Sequence, residues 1–242
     1  MSLQTKQSIW RFIFWCGCFI IFCTFTTLLV QHMQNQKNSF KRKMQSKVIP
    51  GKVIILNGPS GSGKSSIQRE FQKLMMPNLW LKTGIDTLFD APMPDITPEN
   101  IEVWQSPNPI RWIESKRNEN GYPEITLKVG EQGARVAYAM NSAIAAYAKN
   151  GCNIIVDYIA YDQAWIDHLE KELAGISTYW VAVRISLEAL EKREAERGTS
   201  PVGHARSHYY TVYGDRQYDI ELSSEVLSAS EIASKIVGII KH

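Results

Sequence analysis

KVIILNGPSGSGKSS, residues 52–66, decides how this chain is read. Residues 52–57 form a short, nearly continuous apolar run closed by Gly58, the pattern of a central parallel strand buried on both faces. The next residues, Gly58, Pro59, Ser60, Gly61, Ser62, Gly63, Lys64, Ser65 and Ser66, spell G-x-x-x-x-G-K-[ST] behind that strand and at the start of a helical pattern. Glycines let the backbone turn inward so that successive N–H groups aim at phosphate oxygens, and a helix N-terminus adds about half a positive charge. The pattern therefore predicts a phosphate-cradling loop, with Lys64 reaching the β- and γ-phosphates of ATP and the Ser65 hydroxyl serving as a ligand for Mg²⁺. The plainer alternative is an ordinary glycine-rich turn.

Working outward, similar apolar runs recur at LWLKTGI (79–85), CNIIVD (152–157) and YWVAVRI (179–185), with YDIEL (218–222) as a shorter fifth. Helical patterns separate them at 64–75, 134–149, 163–173, 187–197 and 230–240. The last opens on a capping signature, Ser228 with Glu231, and sets Ile232, Ile236, Ile239 and Ile240 on one face. Strands alternating with helices predict a three-layer α/β domain around a mainly parallel five-stranded sheet, spanning residues 48–242. Residues 91–133 break the rhythm: they are rich in Pro, Asn and Glu, hold Trp104 and Trp112, and carry a candidate strand, EITLKV. They read as an inserted cap or acceptor-binding lobe, or else as a surface excursion whose tryptophans pack on the sheet edge.

Asp157 ends an apolar strand at the sheet edge where ligands of open α/β sheets collect, so its carboxylate is a candidate for the Mg²⁺ shell. A helix cap or loop hydrogen bond is the structural alternative. Phosphoryl transfer to an alcohol also needs a base for the hydroxyl proton. Asp86, just after the second strand at the same edge, is the candidate, with Asp90 in reserve; a turn aspartate is the competing reading. Arg193 and Arg197 stand at i and i+4 on LEALEKREAER, and Arg206 follows Gly203. Planar guanidinium groups suit the spread charge of a transferring phosphoryl group. Ordinary surface pairs with Glu194 and Glu196 are the alternative.

Residues 12–30, FIFWCGCFIIFCTFTTLLV, carry no charge and match the length of a transmembrane helix. The expected organisation is a short tail (1–11), this span, a basic linker (31–47) and the domain. A cleaved signal peptide or a core helix is the alternative. Lys37, Lys41, Arg42, Lys43 and Lys47 outnumber Lys6 and Arg11, so the positive-inside bias predicts a single-pass protein with its domain on the cytoplasmic side, where ATP is present. Residues 1–50 hold seven of the 27 Lys and Arg and no acid, leaving a formal charge of about −4 on the remainder. That balance argues against nucleic acid as a partner. Cys152 stands alone outside the span, which excludes a disulfide or thiolate metal site within the domain. Oligomeric state is not encoded in any of these patterns.

Taken in order, IILNGPSGSGKSSI, WLKTGIDTLFDAP, NIIVD, VRISLEALEKREAERG and YDIEL resemble the chloramphenicol phosphotransferase-like family over roughly residues 52–240. The resemblance implies a P-loop kinase fold. It also implies transfer of the ATP γ-phosphate to a small-molecule hydroxyl, as in chloramphenicol 3-O-phosphorylation. It puts the family's base on Asp86 and its lid arginines on Arg193, Arg197 and Arg206. The chain departs from the family where Thr199 and Ser200 replace an acid and an arginine. It also carries His208 and Tyr213 in place of a usual Gln and His, and Ser223-Ser224 in place of Asp-Thr. A membrane-tethered nucleotide-binding module or pseudo-kinase that binds ATP without transferring phosphate is the alternative function.

Overall fold

The computed structural model describes residues 28–37, 48–117, 119, 121, 123–198 and 202–240. It divides into two units, Met1–Val48 and Ile49–His242.

In the first unit, residues 28–37 form an exposed helix. The anchor expected over 12–30 is not upheld: among the described residues, no helix is long and apolar enough to cross a membrane. The described end of that segment, Leu28 to Val30, runs on through residue 37 into Gln, His, Met and Lys, several of them good helix formers, where a linker without helix was expected. Residues 12–27 lie outside the described residues. The single-pass placement, the membrane as a partner and the cytoplasmic side assigned to the domain are dropped with the anchor.

The second unit is built on five parallel strands in the order β2-β5-β1-β6-β7. These are β1 (Val53–Asn57), β2 (Trp80–Gly84), β5 (Asn153–Tyr158), β6 (Thr178–Arg184) and β7 (Ile220–Ser223). The central position of β1 is what its apolar run demanded, since all five of its residues are buried. Alternate residues face opposite layers. Val53 and Ile55 pack with Ala137, Met140 and Ile144 of α3 (Glu131–Lys149) and Trp165, Ile166 and Leu169 of α4 (Gln163–Glu172). Ile54 and Leu56 pack with Ile67 and Phe71 of α1 (Lys64–Met75) and Ile232, Ile236 and Ile240 of α7 (Ala229–Ile240). The result is the expected three-layer α/β architecture.

The reciprocal cap at α7 forms as read, with Ser228 N–H donating to Glu231 Oε2 at 2.8 Å and Glu231 N–H to Ser228 Oγ at 3.2 Å. Between β2 and α3 lie a π-helical turn (Asp86–Asp90), a short helix α2 (Ile101–Gln105), and an antiparallel pair, β3 (Ile110–Arg117) with β4 (Pro123–Val129). The candidate strand EITLKV is thus one arm of a hairpin. This hairpin docks on α6 (His204–Tyr209), where Ile125 N–H donates to the Gly203 carbonyl at 3.2 Å. The remaining helix, α5 (Leu187–Arg197), follows β6.

Candidate active site

The parallel strands deliver β1, β2 and β5 to one edge, and the phosphate loop turns there. Gly63 caps α1 at φ 92°, a left-handed backbone that glycine adopts without penalty. No side chain caps this helix and no acid lies in its first turn, so its positive end is left for a ligand. Lys64, 4% exposed, curls back over the loop. Its Nζ donates to the carbonyls of Gly58 at 2.8 Å and Pro59 at 2.9 Å, and lies 3.5 Å from Ser62 Oγ and 3.3 Å from Asp157 Oδ1. These oxygens compensate the burial of an ammonium group. Ser65 Oγ donates to the other oxygen of Asp157 at 2.8 Å. One carboxylate at the end of β5 therefore ties both residues together. Gly84 allows this, because a Cβ on it would lie 2.3 Å from the Asp157 carbonyl oxygen and 2.8 Å from the Asp157 Cβ.

In front of the loop is a cavity of about 600 Å³. Ser60, Gly61, Gly63, Lys64, Ser65 and Ser66 form its loop wall, Asp86 and Asp157 its strand-end wall, and Arg193 and Arg197 reach it from α5. Gly58, Pro59 and Ser62 stand behind that lining, where they hold Lys64. Asp86 opens the π-helical turn. Its side chain meets water inside the cavity yet is ringed by protein, and burial, then the charge of Asp157, raise its pKa against the opposing pull of Lys64 and Arg197. The pKa of Asp90 is also raised, by burial and then by Asp86. Asp90 is not among the residues lining the cavity.

The three arginines separate. Arg193 donates to the Ser224 carbonyl at 2.7 Å and to Ser224 Oγ at 3.3 Å, which ties α5 to the segment after β7. Arg197 lines the cavity and its charge bears on Asp86. Arg206 instead pairs through Nε with Glu191 of α5 and is absent from the lining. Glu194, read as a candidate for a surface ion pair, is 6% exposed. It accepts the N–H groups of Gly203 and Ala205, each at 2.7 Å, at the start of α6. Thr199 and Ser200 lie outside the described residues.

Among the described residues, no group of three or more His, Cys, Asp or Glu could hold a metal. The donor set here, one hydroxyl and one carboxylate in contact, fits Mg²⁺ in the form that leaves most of the shell to phosphate and water.

Sequence reasoning missed Arg69, Ile85 and Ile159 in the lining, and a cluster behind the loop made of the buried His204 and His208 with the half-buried Tyr161. Tyr161 Oη lies 2.9 Å from His204 Nε2, and the two histidine rings are 4.8 Å apart. Burial, then the charges of Lys64 and Arg197, push His204 down to about 4. The pair stands at i and i+4 after a glycine, a spacing that by itself points equally to core packing.

Residues 51–241 match the family model described as chloramphenicol phosphotransferase-like protein, and the chain belongs to that family. "Putative O-phosphotransferase MT2714" of Mycobacterium tuberculosis (strain CDC 1551 / Oshkosh) is 29% identical over 187 residues, covering 77% of this chain and 80% of the relative. Its counterpart in strain ATCC 25618 / H37Rv matches equally. An APS kinase of Mycobacterium tuberculosis, solved with AMPPNP and APS, is similar in fold with a TM-score of 0.52 at 17% identity, covering 80% of this chain and 99% of that one. A sugar kinase from Janibacter sp. HTCC2649 has a TM-score of 0.52 at 16% identity, covering 79% and 95%.

Proposed function

We propose that this member of the chloramphenicol phosphotransferase-like family transfers the γ-phosphoryl group of ATP to a hydroxyl group of a small molecule. The observation that carries the reading is the convergence of Lys64 and Ser65 from the loop and Asp157 from the strand end on one cavity, with Asp86 beside them. The uncapped first turn of α1 and the loop amides receive the β- and γ-phosphates. Lys64 then exchanges its carbonyl partners for phosphate oxygens. Mg²⁺, held by the Ser65 hydroxyl and by Asp157, would neutralise charge shared between the β- and γ-phosphates.

Asp86 takes the proton of the acceptor hydroxyl as the new P–O bond forms, and its raised pKa suits a base that must both accept and release a proton. Arg197, with Arg193 beside it, stabilises charge on the transferring group. Arg206 contributes from further off, by fixing α5 through Glu191. The 91–133 segment supplies the acceptor side: its hairpin rests on α6, the helix next to the phosphate loop.

The test is incubation of the full chain with γ-labelled ATP, Mg²⁺ and a library of hydroxyl compounds. Label should move to one chemical class of acceptor, and Asp86→Asn should stop the transfer while leaving ATP bound. Binding of ATP with no transfer to any acceptor, in wild type as in Asp86→Asn, would favour the module that holds nucleotide without chemistry.

A further inference from the structure

His208 does not line the cavity, yet it touches the loop that does. Ser60 N–H donates to His208 Nε2 at 3.2 Å. A backbone amide can only donate, so that ring nitrogen presents its lone pair and carries no proton. The other nitrogen, Nδ1, lies 3.4 Å from Ser207 Oγ, whose own proton goes to the His204 carbonyl at 2.7 Å, so that oxygen is left to accept from Nδ1. The ring is therefore a neutral imidazole with its hydrogen on Nδ1, its orientation set from both sides. Its surroundings enforce that state: His208 is 3% exposed, with the His204 ring at 4.8 Å and the Tyr161 ring at 5.1 Å. Burial, His204 and the Lys64 charge all hold its pKa well below the ordinary histidine value.

Ser60 is where the chain leaves Pro59 and begins the turn into Gly61, whose φ is 86°. Its N–H is turned to His208, while the Ser62 N–H is turned to the Pro59 carbonyl at 3.2 Å. Two alternate amides of the loop are thus used as internal ties, and the residues that follow them, Gly61 and Gly63, face the cavity. An imidazole on α6 holds one of those ties. That helix is itself anchored by the buried Glu194 carboxylate.

We propose that His208 is a positioning residue of the phosphate loop, its Nε2 fixing the Ser60 amide so that the loop is preorganised for a polyphosphate. The inference rests on the reading that this loop receives the phosphates of ATP. It adds a contact from outside the loop motif that governs affinity for them. Preorganisation of this kind acts on ligand binding, because a loop without the tie must be ordered at the moment the ligand arrives.

The test uses the full chain with His208→Gln, His208→Asn and His208→Leu. A Gln side chain places its oxygen near the position of Nε2, whereas Asn places its oxygen near Nδ1 and Leu has no acceptor. Calorimetry with Mg²⁺ would measure affinity for ATP and for inorganic tripolyphosphate, which lacks the nucleoside. Leu and Asn should weaken both ligands by a similar factor, about 3- to 10-fold, the worth of one hydrogen bond. Gln should stay within about 2-fold of wild type on the same scale. Nitrogen NMR of the imidazoles should show His208 protonated on Nδ1 in the wild-type chain. Equal affinities for the Gln and Leu variants, or a proton on Nε2, would overturn the inference. A wild-type chain that binds neither ligand overturns the proposed function first. Wild-type binding with no difference between Gln and Leu overturns this inference alone.

Discussion

Replacing Glu194 by Gln isolates the anchor of α6. The side chain is 6% exposed, and its two oxygens accept separately from Ala205 N–H and Gly203 N–H, both at 2.7 Å. Gln preserves the shape but offers one oxygen, so one of the two amides must face an NH₂ group instead. A hydrogen bond to a charged acceptor contributes about 1.5–3 kcal/mol, and a buried donor left without a partner costs about 1–3 kcal/mol. Part of this is offset because no carboxylate has to be desolvated, so the net loss should be about 3 kcal/mol. Urea unfolding of the full chain should show a lower midpoint at unchanged slope. If α6 opens without the rest of the domain, the loss appears instead as about 10²-fold faster hydrogen exchange at Gly203 and Ala205. Affinity for ATP should fall too, since α6 carries His208 to the phosphate loop. A variant within about 0.5 kcal/mol of wild type, with unchanged exchange at both amides, would refute the argument that this carboxylate holds the helix.

Further outcomes follow from the site. Asp86→Asn should lower kcat by about 10²–10⁴-fold with ATP affinity retained, because a base is lost while a negative charge beside the phosphates is removed; steady-state kinetics with calorimetry checks both. The pKa of Asp86 is raised in the fold above the usual 3.8, so the folded state binds its proton more readily than the unfolded chain does. The ionised group therefore opposes folding at neutral pH, and that opposition fades as pH falls through the folded value. Asp86→Asn should accordingly raise the Tm at pH 7 and change it less in acid, while the acid limb of wild-type kcat should move up further in Arg197→Ala, which removes a charge that lowers this pKa. Gly84→Ala would place a methyl group 2.3 Å from the Asp157 carbonyl oxygen, forcing β2 and β5 apart; a loss of about 1–3 kcal/mol in denaturant unfolding and weaker Mg²⁺-dependent ATP binding are expected.

The sheet was readable because its signals are local. The run at 53–56 is apolar at every position before Asn57 closes the strand, and a strand buried on both faces needs that, so its central place in the sheet followed from composition. The loop was readable for the same reason, since glycines and the Lys-Ser pair carry their chemistry in their spacing. What escaped was set by distance along the chain. His208 meets Ser60 across 148 residues, and Glu194 turns inward because the Gly203 and Ala205 amides await it. Neither partner marks its own neighbourhood. The family resemblance puts a lid role on Arg206, and the six-residue α6 sets its guanidinium against Glu191, a pairing that no local pattern marks. The apolar N-terminal stretch predicted an anchor, whereas the described residues 28–37 continue Leu28, Leu29 and Val30 into a mainly polar run, and among the described residues no helix is long and apolar enough to cross a membrane.

The measurement that bears most directly on the account is titration calorimetry of the full chain with ATP and Mg²⁺, run on wild type and on Lys64→Ala. One ATP per chain should bind to wild type, and removing the ammonium held by Gly58, Pro59 and Asp157 should cost at least about 10²-fold in affinity, as expected for a buried charge facing phosphate. No binding by the folded wild-type chain, or equal binding by the variant, would contradict the claim that this loop is a nucleotide site.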